Sequence, residues 1–169
     1  MTDRRIVISG FMGCGKTTVS QALAQRLGCA MVDLDSFITE CEGHTPAEII
    51  VQDSEPQFRE IETRALKVVL EENAARVIAL GGGAWMIEAN RALAQKHGCL
   101  TVWLDAPFEL CWERIQLSGT SRPMAPDRQS AQALYDSRRP AYGLAEIRID
   151  SRETKGLDEI ATALETYLQ

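Results

Sequence analysis

Near its start the chain carries a glycine-rich stretch, GFMGCGKTT, at residues 10–18. It matches the pattern G-x-x-x-x-G-K-[ST] at Gly10, Gly15, Lys16 and Thr17, between an apolar run and a helical pattern. In such a loop, glycines let backbone N–H groups surround a phosphate, the lysine reaches the β- and γ-phosphates, and the hydroxyl can bind Mg²⁺. The alternative is an ordinary glycine turn with a solvated lysine. We interpret the stretch as a P-loop, which alone does not distinguish a kinase from a switch or a motor.

Two aspartates follow the next short apolar run. Asp33 and Asp35 are two residues apart at the predicted end of a strand, and residues i and i+2 of an extended chain face the same way. Both carboxylates could therefore point into one cleft, where one holds Mg²⁺ through water and the other accepts the proton of an attacking hydroxyl. The alternative is that these strand-end aspartates cap the following helix.

The sequence FREIE places Arg59 and Glu62 three residues apart on one face of a predicted helix. Glu62 can orient the guanidinium of Arg59, whose outward donors then suit a substrate carboxylate. An exposed ion pair on the helix surface is the alternative. Phe58, next to this pair, is predicted to lie in the core.

Glycines and arginines further along the chain extend this chemistry. The run Gly81-Gly82-Gly83 directly follows an apolar segment, which predicts that a ligand approaches the main chain closely there. Residues 118–128 contain two prolines and no helical period. With Arg122, this segment suits a mobile lid that closes over ATP and excludes water. Arg128 and Arg139 are interpreted as solvated surface residues.

The elements that must position these residues follow from hydrophobic patterning. Short apolar runs at 6–8, 30–32, 77–80, 100–104 and 147–150 predict strands, and segments of helical period lie between them. This alternation predicts an α/β fold, a mostly parallel sheet with helices on both faces. Ligands bind such sheets at the carboxyl ends of the strands, which is where the aspartates and the glycine runs fall.

Composition limits the possible functions. With 169 residues, the chain is long enough for one domain with its own core, and its formal charge of −6 disfavours general nucleic-acid binding. No apolar run reaches the roughly 20 residues that a membrane span needs, and the N-terminal apolar stretch is too short for a secretory signal. The five cysteines form no CxxC pair and no cluster with histidine, which predicts free thiols in a reducing cytoplasm, with neither disulfides nor a zinc site.

Taken in order, GxxxxGKTT, VDxD, FRxxE, GGG, RP in the lid and RRPxY resemble the shikimate kinases over nearly the whole chain. The resemblance implies one P-loop kinase domain at residues 1–169, of the nucleoside monophosphate kinase type, with a five-stranded parallel sheet and a mobile lid at about 118–128. It also implies a monomer that uses Mg²⁺ to transfer the γ-phosphate of ATP to the 3-hydroxyl of shikimate, in aromatic amino-acid biosynthesis.

The resemblance assigns roles position by position. Contacts to ATP fall on Gly13, Cys14, Gly15, Lys16, Thr17, Thr18 and Arg122. Contacts to Mg²⁺ fall on Thr17 and, through water, on Asp33. Acceptor contacts fall on Asp35, Arg59, Gly81, Gly82, Gly83 and Arg138, with Arg59 and Arg138 clamping the carboxylate. The catalytic roles go to Lys16, Asp35 and Arg122, with Asp35 as the base.

Some positions depart from the family pattern. Ile50 stands where an aromatic residue commonly lines the substrate pocket, and Met124-Ala125 follow Pro123 where two leucines are usual. Arg152 and Lys155 are candidates for the adenine-contacting loop. Two other functions stay open: a kinase for another small hydroxy acid such as gluconate, and a nucleotide-binding regulatory protein without transfer activity.

Overall fold

A computed structural model describes residues 4–72, 74–151 and 156–168. Within these ranges, five parallel strands form one sheet in the order β2-β3-β1-β4-β5. The strands are β1 Ile6–Ser9, β2 Met31–Asp33, β3 Val77–Ala79, β4 Leu100–Asp105 and β5 Ile147–Asp150. The prediction of an α/β fold with a five-stranded parallel sheet is confirmed.

The central position of β1 follows from its composition. All four of its residues are buried, as expected for a strand covered on both faces. It pairs with β3 through Ile6 and Val77 and with β4 through Ile6 and Leu100. The carboxyl ends of β1 and β3 therefore lie side by side, which brings the P-loop and the glycine run after β3 to the same edge of the sheet.

Eight α-helices alternate with the strands over the described residues. They are α1 Lys16–Leu27, α2 Leu34–Glu42, α3 Pro46–Gln52, α4 Glu55–Glu72, α5 Glu88–Lys96, α6 Phe108–Ser118, α7 Arg128–Tyr142 and α8 Leu157–Thr166. The segment 119–127, which makes up most of the lid predicted at about 118–128, connects α6 to α7. Among the described helices, none is both long and apolar enough to cross a bilayer.

Local sequence signals set two of the helix boundaries near the site. Gly28 ends α1 in the left-handed conformation, as its position after the apolar stripe predicts. Thr45 begins α3 with a capping box, in which its hydroxyl accepts from the N–H of Glu48 while the Glu48 carboxylate accepts from the N–H of Thr45. This cap fixes α3, whose residue Ile50 faces the site described next.

Candidate active site

The P-loop connects β1 to α1 and lies close against two neighbouring elements. A Cβ atom at Gly10 would lie 2.6 Å from the carbonyl oxygen of Leu104 at the end of β4, and one at Gly13 would lie 2.6 Å from that of Cys111 in α6. Gly13 also has a φ of +76°, which a residue with a side chain rarely adopts. Glycine is therefore required at both positions for the loop to keep its path.

A cavity opens in front of this loop at the amino end of α1. Its lining includes five of the six predicted P-loop contacts, Gly13, Gly15, Lys16, Thr17 and Thr18. The side chain of Cys14 is buried instead, and its backbone N–H donates to the carbonyl of Phe11 at 3.2 Å. Lys16 Nζ donates to the carbonyl oxygens of Gly10 (2.8 Å) and Phe11 (2.9 Å), so its charge lies at the centre of the loop.

Arg114 is a cavity residue that the sequence motifs missed. It extends from α6, and its Nη1 donates to the carbonyl of Gly13 at 3.2 Å. Its guanidinium adds a positive charge to the mouth of the P-loop cavity, where the phosphates of a nucleotide would need one. A lone arginine inside a helical pattern carries no motif, and only its position on the helix after β4 could have indicated this role.

Asp33 caps the following helix, the alternative to a metal-binding role, and its second carboxylate oxygen contacts Thr17. Its Oδ1 accepts from the backbone N–H of Ser36 at 3.0 Å and so caps α2, while its Oδ2 accepts from Thr17 Oγ1 at 2.6 Å. Thr17 and Asp33 both line the P-loop cavity and offer the hard oxygen ligands that Mg²⁺ prefers. In the described part of the chain, no group of three or more His, Cys, Asp or Glu residues could hold a metal. Phosphate and water oxygens would therefore complete the shell of a Mg²⁺ ion here.

Asp35 lies in the site, but its backbone conformation differs from the predicted one. The expectation of two extended residues facing one way is wrong, because β2 ends at Asp33 and Asp35 lies in the first turn of α2. Its side chain nevertheless lines the P-loop cavity, and its buried Oδ1 has no hydrogen-bond partner in the described structure. Burial, followed by the charge of Asp33, raises the pKa of Asp35, although Lys16 and Arg122 oppose the shift.

A second cavity adjoins the first and contains the predicted acceptor residues. These are Asp35, Arg59, Gly81, Gly82, Gly83 and Arg138. Asp35, Gly81 and Gly82 line both cavities, so a group held in one can reach a group held in the other. Phe58, Ile50 and Met124 supply apolar wall, and Phe58 belongs to the core as predicted.

Arg59 is held by two carboxylates of its own helix. Its Nη1 donates to Glu62 at 2.8 Å, and its Nη2 and Nε donate to Glu55 at 3.2 and 3.3 Å. The alternative of an exposed surface pair is wrong, because Glu62 is 0% exposed. Burial raises the pKa of Glu62 to about 7 despite the opposing charge of Arg59, and its Oε1 has no partner in the described structure.

Arg138 is the second buried cation of this cavity. It is 5% exposed, and no carboxylate of the described residues lies within 4.0 Å of it. Burial lowers the pKa of Arg138, the nearby hydroxyl of Tyr142 partly offsets that effect, and the charge of Arg59 adds to the lowering. A buried guanidinium without a carboxylate partner is costly unless an anion compensates for its charge. An acceptor carboxylate would supply that compensation.

The glycine run after β3 makes room for the charged side chains around it. A Cβ atom at Gly81 would lie 2.6 Å from Asp35 Oδ1 and 3.1 Å from Glu62 Oε1. One at Gly83 would lie 2.6 Å from Cζ of Arg59. The sequence predicted that a ligand approaches the main chain of these glycines closely. In the structure, the side chains of Asp35, Glu62 and Arg59 lie this close to it.

The segment between α6 and α7 contributes to the lining of both cavities. Residues 121–124 line the acceptor cavity, and Arg122 lines the P-loop cavity as well. The Nε atom of Arg122 is buried and has no hydrogen-bond partner within the described residues. Arg122 therefore lies where donor and acceptor would meet. The candidate adenine contacts Arg152 and Lys155 lie outside the described residues.

The two arginines interpreted as surface residues differ in the structure. Arg128 is exposed and pairs with Glu109, in line with the interpretation. For Arg139 the interpretation is wrong: it is 28% exposed, and its guanidinium donates to both oxygens of Asp105, at 2.7 and 3.1 Å. Sequence could not reveal this pair, because its two members are separated by 34 positions.

Comparison with known proteins agrees with this geometry. A family model for shikimate kinase matches residues 12–169. Shikimate kinases from Ruegeria pomeroyi and Geobacter metallireducens are each 37% identical, covering 93% and 98% of this chain and 80% and 92% of those proteins. The solved structure of the Acinetobacter baumannii shikimate kinase in complex with shikimate has a TM-score of 0.88 and 30% identity, covering 98% of this chain and 92% of that one.

Proposed function

Since this chain belongs to the shikimate kinase family, we propose that it transfers the γ-phosphate of ATP to the 3-hydroxyl of shikimate, giving shikimate 3-phosphate and ADP. The observation that carries the proposal is the pairing of the two cavities. A P-loop cavity adjoins one that contains two buried arginines, and Asp35 lines both. A small polyhydroxy carboxylate fits that second set of groups, because it needs cations for its carboxylate and an acceptor for its hydroxyl proton.

The acceptor carboxylate binds between Arg59 and Arg138. Guanidinium has five N–H donors, and Arg59 uses three of them on Glu55 and Glu62, which leaves two for the substrate. Arg138 has no carboxylate within 4.0 Å among the described residues and takes the other side of the substrate anion. Phe58 and Ile50 pack against the apolar part of the ring.

Asp35 accepts the proton of the attacking hydroxyl. Its buried Oδ1 has no hydrogen-bond partner among the described residues, and its raised pKa makes it a better base than an ordinary aspartate. Because it lines both cavities, the hydroxyl that it binds faces the γ-phosphate of a nucleotide on the P-loop. Transfer then requires the two substrates only to be aligned and their charge to be stabilised.

Lys16 and Arg122 stabilise the charge of the transferring phosphoryl group. Both are cationic, both line the P-loop cavity, and neither is paired with a carboxylate there within the described residues. Thr17 and, through water, Asp33 would hold Mg²⁺, which when bound neutralises charge on the phosphate oxygens. Segment 121–124 excludes water that would otherwise accept the phosphoryl group.

All these residues belong to one chain, which supports activity as a monomer. A cytoplasmic location remains a prediction.

The test is ADP release measured with ATP, Mg²⁺ and three conditions: no acceptor, shikimate and gluconate. We expect shikimate to accelerate release by orders of magnitude over the other two, and Lys16→Ala to abolish the acceleration while the circular dichroism spectrum is kept. Acceleration by gluconate alone would identify a different hydroxy-acid kinase. Tight ATP binding without acceleration by either acceptor would identify a regulatory nucleotide-binding protein.

A further inference from the structure

A buried ion-pair network at the end of β4 lies outside the proposed reaction. Asp105 is 2% exposed, yet its carboxylate accepts two hydrogen bonds from Arg139 and two from Arg148 in β5, from Nε at 2.9 Å and from Nη2 at 2.5 Å. The backbone of Asp105 is itself fixed, because its carbonyl accepts from the N–H and the hydroxyl of Ser151 at 2.9 and 3.0 Å. The network thus begins on a rigid part of the sheet.

Arg139 contacts Asp105 and two aromatic side chains, Trp103 and Tyr135. Its Cζ lies 4.9 Å from the ring centroid of Trp103 and 5.2 Å from that of Tyr135, and its Nη1 donates to the Tyr135 hydroxyl at 2.8 Å. The Tyr135 hydroxyl in turn donates to the carbonyl of Ala106 at 2.7 Å. Two hydrogen-bonded oxygens of Asp105 and two aromatic faces fix one guanidinium, and with it the rotation and the height of α7 relative to β4.

The residue next to Arg139 is Arg138, which lines the acceptor cavity. Adjacent side chains on a helix project about 100° apart, so fixing one of them sets the direction of the other. No carboxylate of the described residues lies within 4.0 Å of Arg138, and the hydroxyl of Tyr142, its hydrogen-bond partner, belongs to the same helix. One turn further, the Tyr142 hydroxyl donates to the carbonyl of Gly82 and fixes the end of α7 to the glycine run.

From this arrangement we propose that Asp105 and Arg139 are positioning residues for acceptor binding, which anchor α7 to the sheet so that Arg138 reaches the acceptor carboxylate. The inference rests on the proposed function, because it requires Arg138 to bind that carboxylate. It assigns no contact with substrate to Asp105 or Arg139 themselves. Loss of the anchor should therefore weaken recognition of the acceptor carboxylate and leave nucleotide binding largely unchanged.

The test compares Arg139→Gln with Arg148→Gln. Both changes remove one cationic partner of Asp105, but only Arg139 belongs to α7, so Arg148→Gln is a matched control. We expect Arg139→Gln to raise the KM for shikimate about 10-fold, with the KM for ATP within about twofold of the parent. Arg148→Gln should change both constants less than about twofold. If the two variants behave alike, or if both substrates are affected equally by Arg139→Gln, the proposal is overturned.

Two further measurements separate positioning from general damage. Arg139→Lys keeps the charge but not the two-oxygen contact, so it should give an intermediate shikimate KM, and it serves as the test if the Gln variant does not fold. In an Arg138→Ala background, Arg139→Gln should cause no further loss, because the anchor acts through Arg138. Full additivity of the two losses contradicts the proposal. An unchanged shikimate KM in Arg138→Ala alone would instead show that the proposed function assigns Arg138 wrongly.

Discussion

The hydroxyl of Thr17 donates a 2.6 Å hydrogen bond to Oδ2 of Asp33, the same carboxylate whose Oδ1 caps α2. One side chain therefore connects the first turn of α1, which borders the P-loop, to the helix that carries Asp35. The Asp33 carboxylate thus connects the residues proposed to hold Mg²⁺ to the helix of the residue proposed to accept the proton. A change at Thr17 should affect the metal first and Asp35 only through Asp33.

Thr17→Val removes the hydroxyl without changing the shape of the side chain. We expect the Mg²⁺ concentration for half-maximal activity to rise roughly 10-fold or more, since one oxygen ligand is lost. Stability should fall by only about 1 kcal/mol, the net value of one hydrogen bond. A Mg²⁺ titration of ADP release measures the first effect. Thr17→Ser, which keeps the hydroxyl, is the control, and a parental Mg²⁺ requirement in the Val variant would remove Thr17 from the metal site.

The raised pKa of Glu62 predicts that the stability of the protein depends on pH. Its pKa is raised by burial to about 7 in the folded chain, above its ordinary value near 4.5, so between these values the folded state binds more protons than the unfolded state. The contribution of Glu62 to stability is therefore fully present below about pH 4.5 and is lost as the pH rises through 7, with a limit of about 3 kcal/mol.

Replacing Glu62 by Gln removes this titration. Urea unfolding between pH 5 and pH 8 should show the variant gaining stability relative to the parent as the pH rises, by up to about 3 kcal/mol. Glu60→Gln, at an exposed position on the same helix, is the matched control, and its free energy of unfolding should change with pH as that of the parent does. A constant difference between parent and Glu62→Gln across this range would show that Glu62 titrates near its ordinary pKa.

Much of the fold and the nucleotide side of the site could be predicted because the signals are local. The P-loop pattern, the cap at Thr45 and the buried strand β1 each lie within a few consecutive residues. The site role of Asp35 stays a prediction, but the geometric reason for it was wrong, since one residue decides whether the chain after Asp33 is strand or helix. Arg139 was misjudged because its partner Asp105 belongs to another element, and pairing across a fold leaves no periodic trace in the sequence.

The lid prediction concerns residues 118–128, which contain two prolines and connect α6 to α7. If Arg122 binds phosphate, nucleotide and acceptor together should hold this segment over the cavities and slow its cleavage by a protease of broad specificity. Mass spectrometry of the fragments gives the rate at each site. The exposed residue Leu144, in the turn after α7, provides an internal control whose cleavage should not change. Equal protection at both places would indicate global stabilisation by ligand binding, without lid closure.

The last prediction tests the carboxylate clamp through Arg59. Arg59→Lys keeps the positive charge but loses the paired N–H donors, two of which remain for the substrate after Glu55 and Glu62 are satisfied. Losing a bidentate charged contact costs about 1.5–3 kcal/mol, so the apparent affinity for shikimate should fall roughly 10- to 150-fold. The affinity for ATP should change far less, because Arg59 does not line the P-loop cavity.

Arg64→Lys, on the exposed side of the same helix, is the matched control and should leave both affinities unchanged. An acceptor analogue without the carboxylate completes a cycle in which the substrate is one partner. With that analogue, parent and Arg59→Lys should bind almost equally well, because the group that distinguishes arginine from lysine is absent. If the defect of Arg59→Lys persists undiminished with the analogue, Arg59 does not bind the carboxylate. Its role would then be structural, as the ion-pair partner that keeps buried Glu62 in place.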